Sequence, residues 1–426
     1  MKIWNQSSKD NDSAIDYFLS SEDIVLDQEL FLYDIQASIA HAHELQAINI
    51  LTKTETKKII ASLKKLANLF QTKKFKLTSK YEDCHSAIEQ YLTKELGSVG
   101  KKIHTGRSRN DQVMVAMRLY ARAKLDDIQS INLKIAQSFL EKAEKHSSEP
   151  MPGYTHLQRA MPSSWGLWFG AFAESFLDNI DLLNNARSWM NINPLGTAAG
   201  YGVNLPIKRD ISTKELGFKR KQLNSLYVQN SRGKFELELI GALKQPMLDV
   251  RKFSWDMSMF LTQEFNLLTI PSKYLTGSSI MPNKSNPDVI EIMRANYSVI
   301  AGHYSELENL ISLPSGYHRD LQLTKRSLIH SFHCVSKTLE LVPNLIKSIK
   351  VNAQRSAEFI DQDMMMTDRA YDLVQSGMPF REAYINVKSN KDSVSTAKTY
   401  PRNNSSKGSP YHLDLKVLKS RLKKLI

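Results

Sequence analysis

Apolar residues recur at intervals of three and four positions along most of this chain. Residues 1–96 contain neither glycine nor proline, a composition that favours helices. Inside this stretch Thr52-Lys53-Thr54-Glu55 has the spacing of a capping box, in which threonine and glutamate bond each other's backbone N–H groups. An amphipathic helix is predicted to follow, with an apolar face formed by Ile59, Ile60, Leu63, Leu66, Ala67 and Phe70.

Four more stretches predict long helices, at residues 107–149, 247–270, 318–342 and 344–376. The first of them carries a broad apolar stripe of Val113, Met117, Tyr120, Ile128, Ile131, Ile135 and Phe139. Helices of this length need partners along their whole length, so a helix bundle is the expected architecture. The alternation of strands and helices that marks a parallel sheet is absent from the sequence. The predicted fold class is therefore mostly α.

The composition is that of an ordinary globular protein. The 426 residues can bury a sizeable core, and 42% of them are hydrophobic while 24% are charged. No apolar run is long enough to span a bilayer, and the first residues lack the apolar core of a secretory signal. Two cysteines, Cys84 and Cys334, exclude a disulfide scaffold and favour a reducing, cytoplasmic setting.

The formal net charge of +13 raises the question of an anionic partner such as nucleic acid or a membrane surface. The lysines are scattered along the predicted helices, for example at 57–58, 64–65 and 73–74, without interleaved aromatic residues. Neither zinc-finger spacing nor an RNA-binding aromatic motif is visible. We interpret the lysines as lying on solvated helix faces, and we expect no nucleic-acid or membrane partner.

Residues 277–288, GSSIMPNKSNPD, carry the most informative motif. The small residues at 276–279 permit a flexible loop that could close over a substrate and exclude water. Asn286-Pro287-Asp288 then has the form of a helix start, with Asn286 as the N-cap and Pro287 in the first helical position. A helix N-terminus is suited to a carboxylate ligand, and Lys284 adds a positive charge just ahead of it. The alternative is an ordinary capped loop with a surface lysine.

This stretch contains every specified letter of GSSxMPxKxN, and it resembles the signature loop of the fumarase/aspartase superfamily. The resemblance implies elimination of fumarate from a succinyl-bearing substrate. It also implies that Ser278 is the base that takes the Cβ proton, and that Lys284 and Asn286 hold the carboxylate as negative charge develops on it. Basic chemistry agrees, because a serine hydroxyl is a poor base unless nearby N–H groups and positive charge stabilise its alkoxide.

Residues 104–113, HTGRSRNDQV, resemble a string typical of the argininosuccinate lyase family within that superfamily. Two guanidinium groups in a short turn suit planar, bidentate recognition of carboxylates. The alternative is that these arginines form ion pairs with acidic helices. The resemblance implies that Asn110 contacts the substrate, with Arg109 beside it.

Residues 153–158, GYTHLQ, resemble a second segment of that family. The resemblance implies that Thr155 binds substrate and that His156 is the acid for the departing guanidine, or a proton relay. Imidazole titrates near neutrality, which suits this role, although a lone histidine is more often structural. The resemblance also implies that Glu291 orients His156. The alternative is that Glu291 is an ordinary surface residue of a helix.

Other segments extend the resemblance over roughly residues 14–388. The string at 82–85, EDCH, implies that His85 lies near the substrate carboxylates. Further substrate contacts are implied for Tyr317, Gln322 and Lys325, and near the N-terminus for Ser21. Beyond Lys388 the similarity ends, and residues 389–410 are polar and rich in Ser, Asn and Lys, which predicts a mobile segment.

The resemblance also implies an architecture and a reaction. Three helical domains are expected at residues 1–106, 107–355 and 356–426, and the central one is a long-helix bundle that forms the core of a homotetramer with shared active sites. Argininosuccinate would be split into arginine and fumarate, with no cofactor and no metal; His104, His156 and His318 lack zinc-ligand spacing. Two alternatives remain: a sister lyase acting on adenylosuccinate, aspartate or malate, and a catalytically silent, crystallin-like scaffold.

Overall fold

A computed structural model describes residues 13–390 and 406–425, although the side chains of residues 13–17 and 19–21 are not part of that description. Ser21 therefore lies outside the residues whose side chains are described. Most of the segment expected to be mobile, residues 391–405, also lies outside the described residues.

Helices dominate the described residues, and the mostly α prediction is confirmed. The α-helices are α1 (Ser13–Ala47), α2 (Lys53–Gln71), α3 (Cys84–Leu96), α4 (Ser98–Lys101), α5 (Arg109–Lys145), α6 (Trp165–Met190), α7 (Asp210–Glu215), α8 (Ser225–Asn230), α9 (Lys234–Phe260), α10 (Asp288–Leu310), α11 (Thr324–Ser348), α12 (Ala353–Glu358), α13 (Met366–Gln375), α14 (Phe380–Ser389) and α15 (Leu415–Leu425).

The strands are short and form two-stranded sheets. They are β1 (Pro150–Thr155), β2 (Gln158–Ser164), β3 (Ile192–Asn193), β4 (Arg220–Lys221), β5 (Leu268–Thr269), β6 (Thr276–Gly277), β7 (Ser285–Asn286) and β8 (Lys350–Val351). β1 pairs with β2, β5 with β8 and β6 with β7 in antiparallel fashion, while β3 and β4 are parallel. Two of these pairs, β1–β2 and β6–β7, present residues that the sequence marks as functional.

The chain divides into two compact units. Unit 1 comprises the described residues within Met1–Asp127, Leu182–Leu243 and Ile300–His333. Unit 2 comprises those within Ile128–Asp181, Lys244–Val299 and Cys334–Ile426.

Unit 1 is built around α1, whose small and apolar residues pack against α5 and the segment that follows β3. The buried cluster there consists of Ala37, Ala40, Val115, Leu119, Leu195, Leu216 and Phe218. On another face of α1, Phe31 stacks on Phe70 of α2 with ring centroids 4.4 Å apart. The predicted capping box at the start of α2 is confirmed, because Glu55 N donates to Thr52 Oγ1 at 3.2 Å and Thr52 N donates to Glu55 at 2.8 Å.

Unit 2 has an aromatic core that follows from the helical spacing of α6. The aromatic residues of that helix recur at intervals of three and four, which puts them on one face: Trp165, Trp168, Phe169, Phe172 and Phe176. Phe139 of α5 lies 5.3 Å from Phe172 and 5.3 Å from Phe253 of α9 between ring centroids. Edge and stacked contacts of this kind add about 0.5–1.5 kcal/mol per pair beyond apolar burial.

The predicted helix boundaries near two prolines are wrong. α9 runs through Pro246 instead of beginning after it, and ends at Phe260. α11 runs through Pro343, so the predicted helices at 318–342 and 344–376 do not exist as such. A proline inside a helix costs about 3 kcal/mol because a backbone hydrogen bond is lost. Apolar side chains on both sides of Pro343, such as Val342 and Leu345, are fully buried, and each contributes about 1.5–3 kcal/mol, which offsets that cost.

Candidate active site

The β1–β2 hairpin presents Thr155 and His156. Thr155 pairs with Gln158, which leaves His156 and Leu157 as a two-residue loop with φ of 53° and 59°. A left-handed conformation at two non-glycine residues costs about 1–2 kcal/mol each, a strain that is common at functional sites. Both Thr155 and His156 are exposed. The hairpin therefore presents the histidine at its exposed tip, open to a ligand.

A cavity of about 530 Å³ lies beside this tip, within unit 2. His156 and Leu157 form part of its wall, together with Trp168 and Asp256. The indole Nε1 of Trp168 donates to Asp256 at 2.8 Å. Burial raises the pKa of Asp256, although this hydrogen bond acts in the opposite direction. Thr155 lines a second cavity of unit 2, together with Tyr371 and Tyr411.

The signature loop is the connection of a second hairpin. Thr276 pairs with Asn286 and Gly277 with Ser285, so residues 278–284 form the loop between β6 and β7. The hydroxyl oxygen of Ser278 accepts hydrogen bonds from Met281 N at 2.9 Å and Ile280 N at 3.3 Å. Two N–H groups thus point at the oxygen atom that would carry negative charge as an alkoxide.

The helix after this loop begins one residue later than predicted. α10 starts at Asp288, and the carbonyl of Pro287 accepts from Glu291 N at 3.2 Å, which makes Pro287 the N-cap in place of Asn286. The prediction that Asn286 caps the helix is wrong because β7 takes Asn286 into pairing with Thr276. Glu291 lies one turn into α10 and is exposed.

A second group of predicted residues meets in unit 1. Arg109, Asn110, Tyr317, Gln322 and Lys325 line one polar cavity. They come from the start of α5 and, about 200 residues later in the sequence, from the segment before α11 and its first turn. The structure therefore brings together side chains that only the family resemblance had linked.

Carboxylates hold the cations of this cavity in place. Lys325 is buried and lies 2.5 Å from Asp23 and 2.7 Å from Asp27. Burial lowers the pKa of Lys325, but the two carboxylates outweigh that effect and raise it above its ordinary value. Arg109 pairs with Glu82 at 2.7 Å and Asp83 at 3.0 Å. Arg109 thus forms ion pairs of the kind that were the alternative to substrate recognition by the arginines.

His85 is buried behind the cavity wall, next to Asp83, which lines the cavity. Its Nδ1 lies 2.8 Å from the carboxylate of Asp34. Burial lowers the pKa of His85, but the carboxylates of Asp34, Asp83 and Asp27 together outweigh burial, so the pKa lies above its ordinary value.

A sequence profile of the family described as Lyase matches residues 9–302. A protein named argininosuccinate lyase from Xanthomonas campestris pv. campestris (strain B100) is 45% identical over 422 residues, which cover 98% of this chain and 98% of that protein. Another of that name, from Xylella fastidiosa (strain Temecula1 / ATCC 700964), is 48% identical over 382 residues, covering 90% and 86%. The chain belongs to the argininosuccinate lyase family.

The fold of this argininosuccinate lyase family member is similar to that of a solved structure titled "Crystal structure of EDDS lyase in complex with formate". The TM-score is 0.79 at 22% identity, over 94% of this chain and 87% of that chain. Among the helices that the structure describes, none combines the length and the hydropathy that a membrane span requires.

Sequence reasoning missed several residues of the unit 1 cavity in this family member. The lining also contains Asp23, Glu82, Asp83, Arg232 and Arg319. Arg232 is buried, its guanidinium lies 5.5 Å from the ring centroid of Tyr317, and burial lowers its pKa. Glu82 and Asp83 stood inside the quoted EDCH string and could have been found there. Asp23 and Arg232 stand in no motif, and only the packing of α1 and of the turn between α8 and α9 reveals them.

The predicted residues fall in two groups. Unit 1 contains His85, Arg109, Asn110, Tyr317, Gln322 and Lys325. Unit 2 contains Thr155, His156, Ser278, Lys284, Asn286 and Glu291. Within unit 1 the residues share a cavity or, for His85, lie directly behind its wall; within unit 2 they occupy the tips of two hairpins and the first turn of α10.

Proposed function

We propose that this lyase eliminates fumarate from argininosuccinate and releases arginine, in the last step of arginine biosynthesis, and that the reaction is reversible. The observation that carries the proposal is the similarity to proteins named argininosuccinate lyase, at 45% identity over 98% of both chains. The geometry of the signature loop supports the chemistry, because it surrounds the oxygen of Ser278 with hydrogen-bond donors.

In the proposed mechanism Ser278 removes a Cβ proton of the succinyl group. A proton next to a carboxylate is only weakly acidic, so the carbanion needs positive charge where its electrons spread. Lys284 and Asn286, at the end of the loop, and the free N–H groups at the start of α10 would supply it. A base in position contributes about 10²–10⁴-fold, and the electrostatic environment of the carboxylate contributes much of the remainder.

The carbon–nitrogen bond then breaks on the opposite side, in an anti elimination. His156 donates a proton to the departing guanidine, or relays one, while Thr155 holds the substrate and Glu291 orients the imidazole. The exposed two-residue loop of the β1–β2 hairpin supports this role, because the pairing of Thr155 with Gln158 on either side of the loop fixes its left-handed backbone.

The unit 1 cavity would bind the remaining groups of the substrate. Arg109 and Asn110 suit a carboxylate, and His85 would add positive charge behind the wall. Tyr317, Gln322 and Lys325 would meet the arginine-side groups, and Ser21 is proposed to contribute as well. Lys325 forms ion pairs with Asp23 and Asp27. Its first effect is therefore to hold these two carboxylates in place beside the substrate groups.

We propose a cytoplasmic homotetramer in which each active site draws segments from three subunits. Exposed apolar residues of unit 2 support an assembly. Leu248 and its neighbour seven positions on, Trp255, are exposed on α9, and Ile292 and Val299 have the same spacing on α10. Apolar residues at intervals of seven form a stripe that a partner helix can cover. The division into domains 1–106, 107–355 and 356–426 is part of the same proposal.

The test is to follow fumarate absorbance while purified protein is given argininosuccinate, and in parallel adenylosuccinate, aspartate or malate. Turnover of argininosuccinate alone is expected. Turnover of one of the other substrates instead would select a sister lyase of the superfamily. The absence of turnover on all of them, by a folded protein, would favour a silent scaffold and contradict the proposal.

A further inference from the structure

Arg232 is a buried cation in the wall of the unit 1 cavity, in the turn between α8 and α9. Only 5% of its surface is exposed. In the part of the chain that the structure describes, its guanidinium forms no hydrogen bond and no ion pair, and the ring centroid of Tyr317 lies 5.5 Å away. A guanidinium has five N–H donors, and leaving them without an acceptor costs free energy that a ligand can recover.

The carboxylates near Arg232 are engaged with other groups. Asp23 and Asp27 lie 2.5 and 2.7 Å from Lys325. Glu236 accepts a hydrogen bond of 2.7 Å from a backbone N–H group of the turn. Burial lowers the pKa of Arg232 below its ordinary value, and the attraction of these three carboxylates does not make up for it. Arg232 therefore presents a positive charge to the cavity that no neighbouring carboxylate has paired.

The backbone on both sides of this guanidinium is fixed. Arg232 N donates to Gln229 O at 3.0 Å, and Gly233 N donates to Glu236 at 2.7 Å. Gly233 has a left-handed φ of 85°, and a Cβ atom there would lie 2.2 Å from the side chain of Ile311, so glycine alone fits without displacing a neighbour. The turn thus holds the arginine in place before a ligand arrives, which lowers the entropic cost of binding.

The surroundings of Arg232 indicate which part of the substrate it meets. Tyr317, whose ring it faces, and Lys325 are proposed to contact the arginine half of argininosuccinate. Lys325 and Arg109, two other cations of the cavity, each lie against two carboxylates and are already neutralised. The arginine half of the substrate carries an α-carboxylate, and a guanidinium donates two parallel hydrogen bonds to such a planar group.

We propose that Arg232 binds the α-carboxylate of the arginine half of the substrate, and so selects an amino acid over an amine that lacks this group. The inference rests on the proposed function, because argininosuccinate is the substrate that brings this carboxylate to the cavity. No covalent bond changes at Arg232. It determines specificity through binding and takes no part in the proton transfers.

The test compares the affinity of the full-length protein for arginine and for agmatine, which is arginine without its α-carboxylate, by calorimetry. The unmodified protein is expected to bind arginine at least about tenfold more tightly, because agmatine lacks the acceptor of a charge-assisted pair of hydrogen bonds. Arg232→Gln should lose at least about tenfold in affinity for arginine and keep its affinity for agmatine and for fumarate.

Two further variants sharpen this comparison. Arg232→Lys keeps the charge without the planar fork, so its affinity for arginine should lie between those of the unmodified protein and Arg232→Gln. Arg220→Gln is the matched control, because Arg220 is an exposed arginine of unit 1, and it should bind all three ligands as the unmodified protein does.

Equal affinity of the unmodified protein for arginine and agmatine would overturn the inference, as would an Arg232→Gln variant that still prefers arginine. Weaker fumarate binding by that variant, with its preference for arginine intact, would assign Arg232 to a succinyl carboxylate and contradict the inference too. Arg232→Lys keeps the test decisive if circular dichroism shows that Arg232→Gln does not fold. Calorimetry needs no turnover, so arginine binding through Arg232 without fumarate release from argininosuccinate would contradict the proposed function alone.

Discussion

Lys325 carries a buried positive charge that two carboxylates of α1 hold in place. The sequence predicts that its loss weakens substrate binding, and the structure adds a cost in stability. Lys325→Met leaves Asp23 and Asp27 without their cation, which is expected to lower the free energy of unfolding by about 3–5 kcal/mol. Chemical denaturation measures this, with Lys337→Met as the control, since Lys337 is exposed on the same helix. Equal stability of the two variants would show that the buried pairs contribute nothing.

Asp111 is a fully buried carboxylate at the start of α5. It accepts backbone hydrogen bonds from Ser108 at 2.9 Å and from Gly196 and Ala198 at 3.0 Å. Burial raises its pKa from 3.8 to about 6, although these bonds act in the opposite direction. The folded state therefore holds the proton more firmly than the unfolded chain does.

The sign of the pH effect follows from that pKa. The contribution of Asp111 to stability is full below about pH 4 and is lost as the pH rises through about 6, by about 3 kcal/mol in total. Asp111→Asn removes this titration, so its free energy of unfolding should fall less between pH 4 and pH 6 than that of the unmodified protein. Parallel pH profiles from urea denaturation would contradict the assignment.

At the scale of elements, the strain in the β1–β2 hairpin can be measured directly. Leu157 has a left-handed φ of 59°, which glycine adopts without penalty. Leu157→Gly is therefore expected to stabilise the protein by about 1 kcal/mol, and Leu157→Val to destabilise it, because a β-branched residue tolerates that φ poorly. Thermal unfolding of both variants tests this, and a lower Tm for the glycine variant would show that the loop is not strained.

Sequence patterns predicted some of the long helices, such as α5, but not their ends, and the helix predicted at 344–376 is divided between the end of α11, α12 and α13. The capping box at Thr52 was predicted correctly, because it is a local arrangement of side chain and backbone. The sequence predicts helix ends at Pro246 and Pro343, whereas burial of the apolar residues around them outweighs the lost hydrogen bonds. α10 starts one residue later than predicted because Asn286 pairs with Thr276 in the hairpin that the motif itself forms. Single caps are readable from the sequence, whereas competition between a cap and strand pairing or tertiary burial is not.

In the candidate site too, local motifs could be predicted from the sequence and contacts between distant segments could not. Motifs in one short stretch, such as the signature loop, could be recognised from sequence through family resemblance. The acidic partners of the cavity could not, because Asp23 and Lys325 are about 300 residues apart and no local pattern joins them. The roles assigned to the site residues stay predictions.

At the scale of the whole molecule, the proposed tetramer predicts what an exposed charge does to assembly. Leu248→Glu places a charge in the apolar stripe of α9, where a partner helix would have to bury it, and is expected to yield smaller species with activity reduced at least about tenfold. Light scattering on a sizing column, with circular dichroism to confirm folding, measures this. Val417→Glu, also at an exposed apolar position, is the control. An active tetramer of the Leu248→Glu variant would remove this face from the interface.

In the proposed mechanism the oxygen of Ser278, which accepts hydrogen bonds from the N–H groups of its loop, takes the Cβ proton of argininosuccinate. The kcat of Ser278→Ala, measured by fumarate release beside the affinity of the same variant for substrate, tests this role. We expect a kcat reduced by about 10²–10⁴-fold with substrate binding retained, while Ser272→Ala, at an exposed serine just upstream, behaves as the unmodified protein does. A kcat close to that of the unmodified protein in Ser278→Ala would contradict it.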